Sequence, residues 1–357
     1  MKGLIAAGGK ATRLRPITHA INKHLIPLAG RPLIEHAILK MADAGITEIA
    51  ININPGDTEM KKALGDGSRY GVHLTYLEQE GGPRGVGHIP MNAKAWIGNS
   101  PFVFYLGDNI VLGPITRLIE RFEKEGLDCL LALARVDDPN RFGVPEIKDG
   151  KIVRVLEKPE NPPSPFAVTG IYVYRPSMFE AADVISPSAR GEYEISDIHS
   201  VMIDQGKNVG YEEVTGWWMD TGKPEDLLKG NTLLLEQMAD PIISPEAEIG
   251  PEVTINGVVA IGAGTKISGA SVINGPAFIG TDCVISDAQV GPGASLGSRV
   301  TLDGAGVAQS VVLDDVMLSG NFRIHDSIVG RHARITGNGA DVRPSRFLLG
   351  DHGVVEL

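Results

Sequence analysis

Cysteine is nearly missing from this chain. Among 357 residues there are two, Cys129 and Cys283, far apart and outside any metal-ligand spacing, so neither a disulfide framework nor a zinc site is indicated. That scarcity fits a reducing compartment. Long apolar runs are missing too: none approaches the 18 residues of a membrane span. The apolar start from Met1 to Gly9 is interrupted by Lys10 and Arg13 before it could serve as a signal peptide. A basic excess is also lacking, since the net charge is -11 and the pI is near 5.3. Nucleic acid and anionic membrane surfaces, which need a broad basic face, are excluded as partners. Small anionic substrates remain, provided that positive charge is concentrated locally. With 43% hydrophobic and 22% charged residues the chain reads as a cytoplasmic globular protein of two domains.

Two periodicities divide it. Up to about Met238, short β-rich runs (Leu4 to Ala7, Glu48 to Asn52, Leu74 to Leu77, Phe102 to Leu106, Leu130 to Ala134) alternate with amphipathic stretches (Pro32 to Ala44, Asp57 to Leu64, Ile115 to Glu125). This alternation predicts an α/β layered domain with a mostly parallel sheet and ligands at the carboxyl ends of its strands. After Pro241 the period becomes six: Ile243, Ile249, Ile255, Ile261, Ile267, Ile273, Ile279 and Ile285 are evenly spaced, and Val290, Leu296 and Leu302 continue after a one-residue slip. Such a hexapeptide repeat predicts a parallel β-helix with each aliphatic side chain inside a narrow prism. Gly250, Gly262, Gly280 and Gly297 follow aliphatic positions, where small or left-handed residues suit tight corners. The repeat weakens near Ala305 to Gln309 and resumes at Val312. The expected domains are therefore 1–240 and 241–357.

The first strand runs into Gly8-Gly9-Lys10-Ala11-Thr12-Arg13-Leu14-Arg15-Pro16, with Lys23 beyond. Six basic residues and no acidic one precede Glu35. Glycines let backbone amides approach oxyanions and Arg or Lys neutralises them, so the segment reads as a triphosphate cradle, although it matches neither a Walker loop nor G-x-G-x-x-G. A solvated basic turn is the plainer alternative. Asp108, in Gly107-Asp108-Asn109, and Asp220, in Trp218-Met219-Asp220-Thr221-Gly222, end strands and suit Mg²⁺ as hard oxygen ligands; either one alone reads as a turn residue or cap. Glu157-Lys158-Pro159 offers an acceptor for sugar hydroxyls beside a cation for a phosphate.

These strings, with Thr169-Gly170-Ile171-Tyr172 and Arg190-Gly191-Glu192-Tyr193-Glu194-Ile195-Ser196-Asp197, resemble the glucose-1-phosphate thymidylyltransferases, and over the whole chain the long forms that end in a left-handed β-helix. The resemblance implies a Rossmann-like nucleotidyltransferase domain with a mixed, mostly parallel sheet. It also implies transfer of a nucleotidyl group from dTTP to glucose 1-phosphate by in-line displacement with Mg²⁺. Catalytic roles fall to Arg13, Lys23, Asp108 and Asp220, the two aspartates holding the metal. Gly8, Gly9, Thr12, Gln79 and Gly85 are implied at the nucleotide. Asn109, Gly143, Glu157, Lys158, Gly170 and Arg190 are implied at the sugar phosphate. Ala11 stands where the family has a third glycine, which requires a negative φ or compensated strain. In Gln79 to His88 the glycine lies one residue further from the glutamine than usual, so the base remains open between thymine, uracil and others. A non-catalytic relative would be expected to lose cationic or metal positions that are all present here. An acyltransferase in the repeat would need a general-base histidine, and the run from Ile243 to Ile285 has none. The repeat is read instead as an oligomerisation or regulatory element, and the protein as a homo-oligomer.

Overall fold

The structure, a computed structural model, describes residues 1–337 and 343–357. The chain divides into two compact units, Met1–Gly9 with Ile34–Asp220 and Lys10–Leu33 with Thr221–Leu357. The hexapeptide strands begin at Ile242–Ile243, next to the expected cut at 240. Packing additionally gathers the early segment Lys10–Leu33 and the helix Pro224–Leu235 with the repeats.

In the first unit one sheet has the strand order Val209–Glu213, Cys129–Arg135, Phe166–Tyr174, Phe102–Leu106, Lys2–Ala6, Glu48–Ile53, His73–Glu78. All neighbours are parallel except Phe166–Tyr174, which is antiparallel to both of its partners. The mixed, mostly parallel sheet of the sequence reading is therefore present. Its central strands are buried along nearly their whole length, as strands covered on both faces must be. Leu4, Phe104, Leu131 and Tyr172 join one core cluster, in which Phe104 stacks on Tyr172 with centroids 5.6 Å apart. Each such buried side chain contributes about 2 kcal/mol. The helix Thr58–Leu64 starts where the Asp57 side chain accepts a hydrogen bond from Met60 N, at 3.0 Å. The helix Ile195–Asp204 was not expected from the sequence. The strands Lys2–Ala6, Glu48–Ile53 and Phe102–Leu106 run in parallel register, so the loops after them, carrying Gly8, Asn54 and Asp108, open at one edge of the sheet. A register irregularity between Val168 and Tyr172 bends the antiparallel strand at the same edge.

The second unit contains a left-handed β-helix of three parallel sheets with seven, seven and five strands. Ile243, Ile261 and Ile279 stack in one column. Ile249, Ile267 and Ile285 form the next, and Ile255, Ile273 and Val290 the third. Two expectations change. The repeat does not lapse near Ala305 to Gln309, because Val307 sits in the third column between Val290 and Ile324; a corner has simply lost a residue. The glycines after aliphatic positions are not the left-handed corners. Gly262 and Gly280 are needed because a Cβ would fall 2.6 and 2.5 Å from the carbonyl oxygen of the next coil. The left-handed corners come two residues later, at Gly264, Asp282 and Arg299.

Within this unit Lys10–Leu33 and the helix Pro224–Leu235 cover one face of the prism. Gly30 lies against the Phe278 ring, where no side chain would fit. Asn231 is fully buried. Its Oδ1 accepts from Ala29 N at 2.9 Å and from Ser295 Oγ at 2.7 Å, and its Nδ2 donates to Gly293 O at 3.1 Å. One amide thus ties the basic segment, the helix and the prism together. Among the described residues no helix is long and apolar enough to cross a membrane.

Candidate active site

Three groups of site residues assemble in the first unit. The first surrounds Gly8 and Gly9. Gly9 has φ +103°, open to glycine but strained for other residues. Asn54 clasps it, Oδ1 accepting from Gly9 N at 3.0 Å and Nδ2 donating to Gly9 O at 3.1 Å. A Cβ on Gly8 would lie 3.2 Å from Asn54 Oδ1 and 3.7 Å from both Asn52 Nδ2 and Gln79 Oε1. Asn52 and Gln79 are buried, and Asn52 Nδ2 has no hydrogen-bond partner among the described residues. A buried donor left unmade is costly, so a ligand acceptor beside Gly8 would stabilise it. Gln79 is held by His88, whose Nδ1 lies 3.1 Å from Gln79 Nε2. Burial, and secondarily the Arg84 charge, lowers the His88 pKa, keeping the ring neutral and able to accept there. Gln79 Oε1 is then directed away from His88. Gly85, with φ +96°, packs so closely on Tyr193 that a Cβ would meet its backbone at 2.6 Å.

The second group contains Asp108, Asn109 and Asp220. The strands Asn109–Val111 and Trp218–Asp220 pair antiparallel, with Asn109 opposite Asp220. Asn109 is buried. Its Nδ2 donates to Asp108 Oδ1 at 2.8 Å, while its Oδ1 accepts from Trp218 Nε1 at 2.8 Å and Gly170 N at 3.3 Å. Asn109 thus holds Asp108 in place. Gly170 is required by that approach, since a Cβ would come within 2.9 Å of Asn109 Cγ. The Tyr172 hydroxyl is pushed far up, first by burial and then by the charges of Glu157, Cys129, Asp108 and Asp220. Two carboxylates at strand ends fit Mg²⁺, which keeps waters and takes its remaining ligands from phosphates. Among the described residues no three His, Cys, Asp or Glu side chains form a fuller metal cage.

The third group joins Gly143, Glu157, Lys158 and Arg190. Gly143 is the register partner of Glu157. Glu157 lies 3.1 Å from Lys158 Nζ and 3.6 Å from Arg190, and its Oε2 accepts from Ser196 Oγ at 3.1 Å. Lys158 takes φ +45°, strain of the kind stored at functional sites. Asp197 is raised in pKa, first by burial and then by Glu194 and Glu157.

Thr12, Arg13 and Lys23 belong to the second unit. Thr12 and Arg13 are exposed in the short turn Thr12–Leu14. Lys23 is buried in Lys23–Leu25, a turn capped by Asn22, whose side chain accepts from His24 N at 3.0 Å. Ala11 takes a left-handed φ of +41°, held by Thr18 Oγ1 donating to Ala11 O at 2.8 Å. Sequence reasoning missed Asn52, Asn54, His88 and Tyr193. The polar pair in Ile51-Asn52-Ile53-Asn54, closing an apolar strand, was the available signal for the first two.

Residues 2–237 match the family model described as nucleotidyl transferase, and the chain belongs to that family of enzymes. The likeness to glucose-1-phosphate thymidylyltransferases extends over its full length. The Streptomyces antibioticus glucose-1-phosphate thymidylyltransferase is 36% identical over 359 residues, covering 100% of this chain and 99% of its own. The low-salt glycan biosynthesis nucleotidyltransferase Agl11 of Haloferax volcanii is 38% identical over 362 residues, covering 100% of both chains. A Bacillus anthracis protein assigned as a glucose-1-phosphate thymidylyltransferase, solved in complex with a sucrose, superposes with a TM-score of 0.62 at 40% identity, over 65% of this chain and 94% of its own.

Proposed function

We propose that this enzyme transfers a thymidylyl group from dTTP to glucose 1-phosphate, giving dTDP-glucose and pyrophosphate. The observation that carries the reading is the antiparallel pairing that sets Asp220 opposite Asn109, beside Asp108. A phosphate oxygen of the sugar phosphate attacks the α-phosphorus, a new O–P bond forms, and the bond to the β-phosphate oxygen breaks, with pyrophosphate leaving. Asp108 and Asp220 would hold Mg²⁺, which when bound offsets charge on the phosphate oxygens. Arg13 and Lys23 are assigned to neutralising the triphosphate and the leaving pyrophosphate. Gly8, Gly9 and Thr12 would lie along the nucleotide. Lys158 and Arg190 would grip the sugar phosphate, with Glu157 and the backbone of Gly143 and Gly170 at the hexose. No proton-relay residue is required, because the work is positioning and electrostatics.

The orientation of Gln79 supports a base bearing an N3–H. With Nε2 engaged by His88, Gln79 presents its carbonyl oxygen, an acceptor, which suits thymine or uracil and disfavours cytosine. UTP is therefore the main rival donor. The test is pyrophosphate release, with Mg²⁺, from five nucleoside triphosphates against glucose, galactose, mannose and N-acetylglucosamine 1-phosphates. Highest kcat/KM for dTTP with glucose 1-phosphate supports the proposal; preference for UTP replaces the donor, and silence with every pair rejects catalysis. A cytosolic homo-oligomer assembled through the prism is also proposed. Val284, Met317 and Val354 are exposed along one of its sheets, and polar substitution of the three should reduce the mass found by light scattering.

A further inference from the structure

Two loops of the first unit, each assigned above to a different substrate, are joined at Tyr193. Tyr193 N donates to Arg84 O at 2.8 Å, and Gly87 N donates to Tyr193 O at 2.8 Å. The Arg84 guanidinium lies over the Tyr193 ring, 5.3 Å from its centroid. The His88 ring is 5.7 Å from that of Tyr193, tilted by 32°. From there contacts run both ways. His88 holds Gln79. Beyond Tyr193, Glu194 accepts from Arg190 at 2.8 Å and from Ser188 Oγ at 2.7 Å, and Arg190 reaches Glu157. An unbroken chain of contacts thus leads from the base-reading glutamine to the sugar-phosphate cations.

We propose that Tyr193 is a positioning residue that couples the two substrate loops, so that nucleotide bound at Gln79 to His88 tightens the binding of sugar phosphate at Glu157 to Arg190, and the reverse. The proposal rests on the substrate assignment above. The Tyr193 ring packed against Arg84 and His88, with the two backbone bonds, ties one loop to the other, so a ligand that fixes one loop lowers the ordering cost of the other. Thermodynamic linkage makes the effect equal in both directions. The donor loop carries Gly81, Gly82 and Gly85, all at positive φ, and gains the most from such a brace.

The test is calorimetric titration of glucose 1-phosphate into the full-length protein with Mg²⁺, with and without saturating α,β-methylene dTTP, which cannot be turned over. The expected result is at least about a fivefold lower Kd in the presence of the analogue. Tyr193→Ala removes the ring contacts with Arg84 and His88 while leaving the backbone bonds, and should lower that ratio at least about twofold, whereas Tyr193→Phe, which retains the ring, should preserve it. Gly87→Ala is an independent wedge: its φ of -65° suits alanine, but the new Cβ would lie 2.9 Å from Tyr193 O, so the ratio should fall there too. Unfolding temperatures measured in parallel separate lost coupling from lost folding. A ratio near one in the unaltered protein, with both ligands binding, overturns the coupling and leaves the functional reading standing. So does an undiminished ratio in folded Tyr193→Ala or, should that variant not fold, in Gly87→Ala. Failure of both ligands to bind the unaltered protein overturns the two together.

Discussion

In the prism, the buried Thr265, Ser271, Ser310 and Ser327 turn their hydroxyls onto the backbone of their own or the adjoining coil. Thr265 Oγ1 donates to Gly280 O at 2.8 Å and accepts from Cys283 N at 3.1 Å. Ser310 Oγ likewise donates to Ala308 O at 2.6 Å and accepts from Ser327 N at 3.1 Å. In the α/β unit, Asn109 is as deeply buried, yet its Oδ1 accepts from Gly170 N and Trp218 Nε1, 61 and 109 residues further along. Asn52 and Gln79 are buried too, and Asn52 Nδ2 has no partner among the described residues. The first set completes corners whose carbonyls would otherwise be orphaned. The second converges on one sheet edge. Burial of polarity alone is therefore no mark of a site; buried polarity gathered across long sequence separations, with a donor left over, is.

The contrast breaks first where charge serves chemistry and not the fold. Asp108→Asn and Asp220→Asn are expected to lower kcat by about a thousandfold, ~4 kcal/mol, while leaving the unfolding temperature nearly unchanged. Normal turnover in either variant would remove that residue from the metal site. Asn231 is the matching probe of the second unit. Asn231→Ala would strand Ala29 N, Ser295 Oγ and Gly293 O together, and should cost about 2–3 kcal/mol in denaturant titration. A loss below about 0.5 kcal/mol would mean that water takes over these bonds readily.

Legibility also differs between the units. The prism could be read because each coil restates one rule, an aliphatic residue inward per side, and packing against the coil above enforces it. What escaped there were the corners: left-handed Asp282 and Arg299 carry no glycine to announce them. In the α/β unit the strands leading to Gly8 and Asp108 were visible as apolar runs, and so was the edge at which they end. The placing of Phe166–Tyr174 antiparallel between Phe102–Leu106 and Cys129–Arg135 was not, because pairing direction depends on partners 31 or more residues away, the nearest being Phe166 and Arg135. For the same reason nothing in the order of residues announces that Tyr193 meets Arg84 and Gly87, more than 100 residues earlier.

The third probe is His199, fully buried in the α/β unit with its Nε2 2.6 Å from the Tyr174 hydroxyl. Burial lowers its pKa from the ordinary 6.5 to about 3. The unfolded chain therefore binds the extra proton between those values. Stability from this group is complete above pH 6.5 and falls as the pH drops toward 3, by about 1.4 kcal/mol per unit, or about 2 kcal/mol at pH 5. His199→Gln should flatten that part of the stability profile measured from pH 7 to 4. An unchanged slope would assign the acid sensitivity to other groups.

The smallest effect tests the corner rule outside the prism. Ala11 occupies a left-handed conformation, φ +41° and ψ 44°, without the freedom of glycine. The bond from Thr18 Oγ1 and the turn closed by Leu14 N, 3.0 Å from Ala11 O, hold it there. Because the Cβ penalty in this region is about 1 kcal/mol, Ala11→Gly should stabilise the protein, less the entropy that glycine adds to the unfolded chain. A rise in unfolding temperature of about 2 °C is expected. A fall would mean that the entropy of the unfolded chain outweighs the strain, and that the basic segment tolerates its alanine because the surrounding contacts already determine its shape.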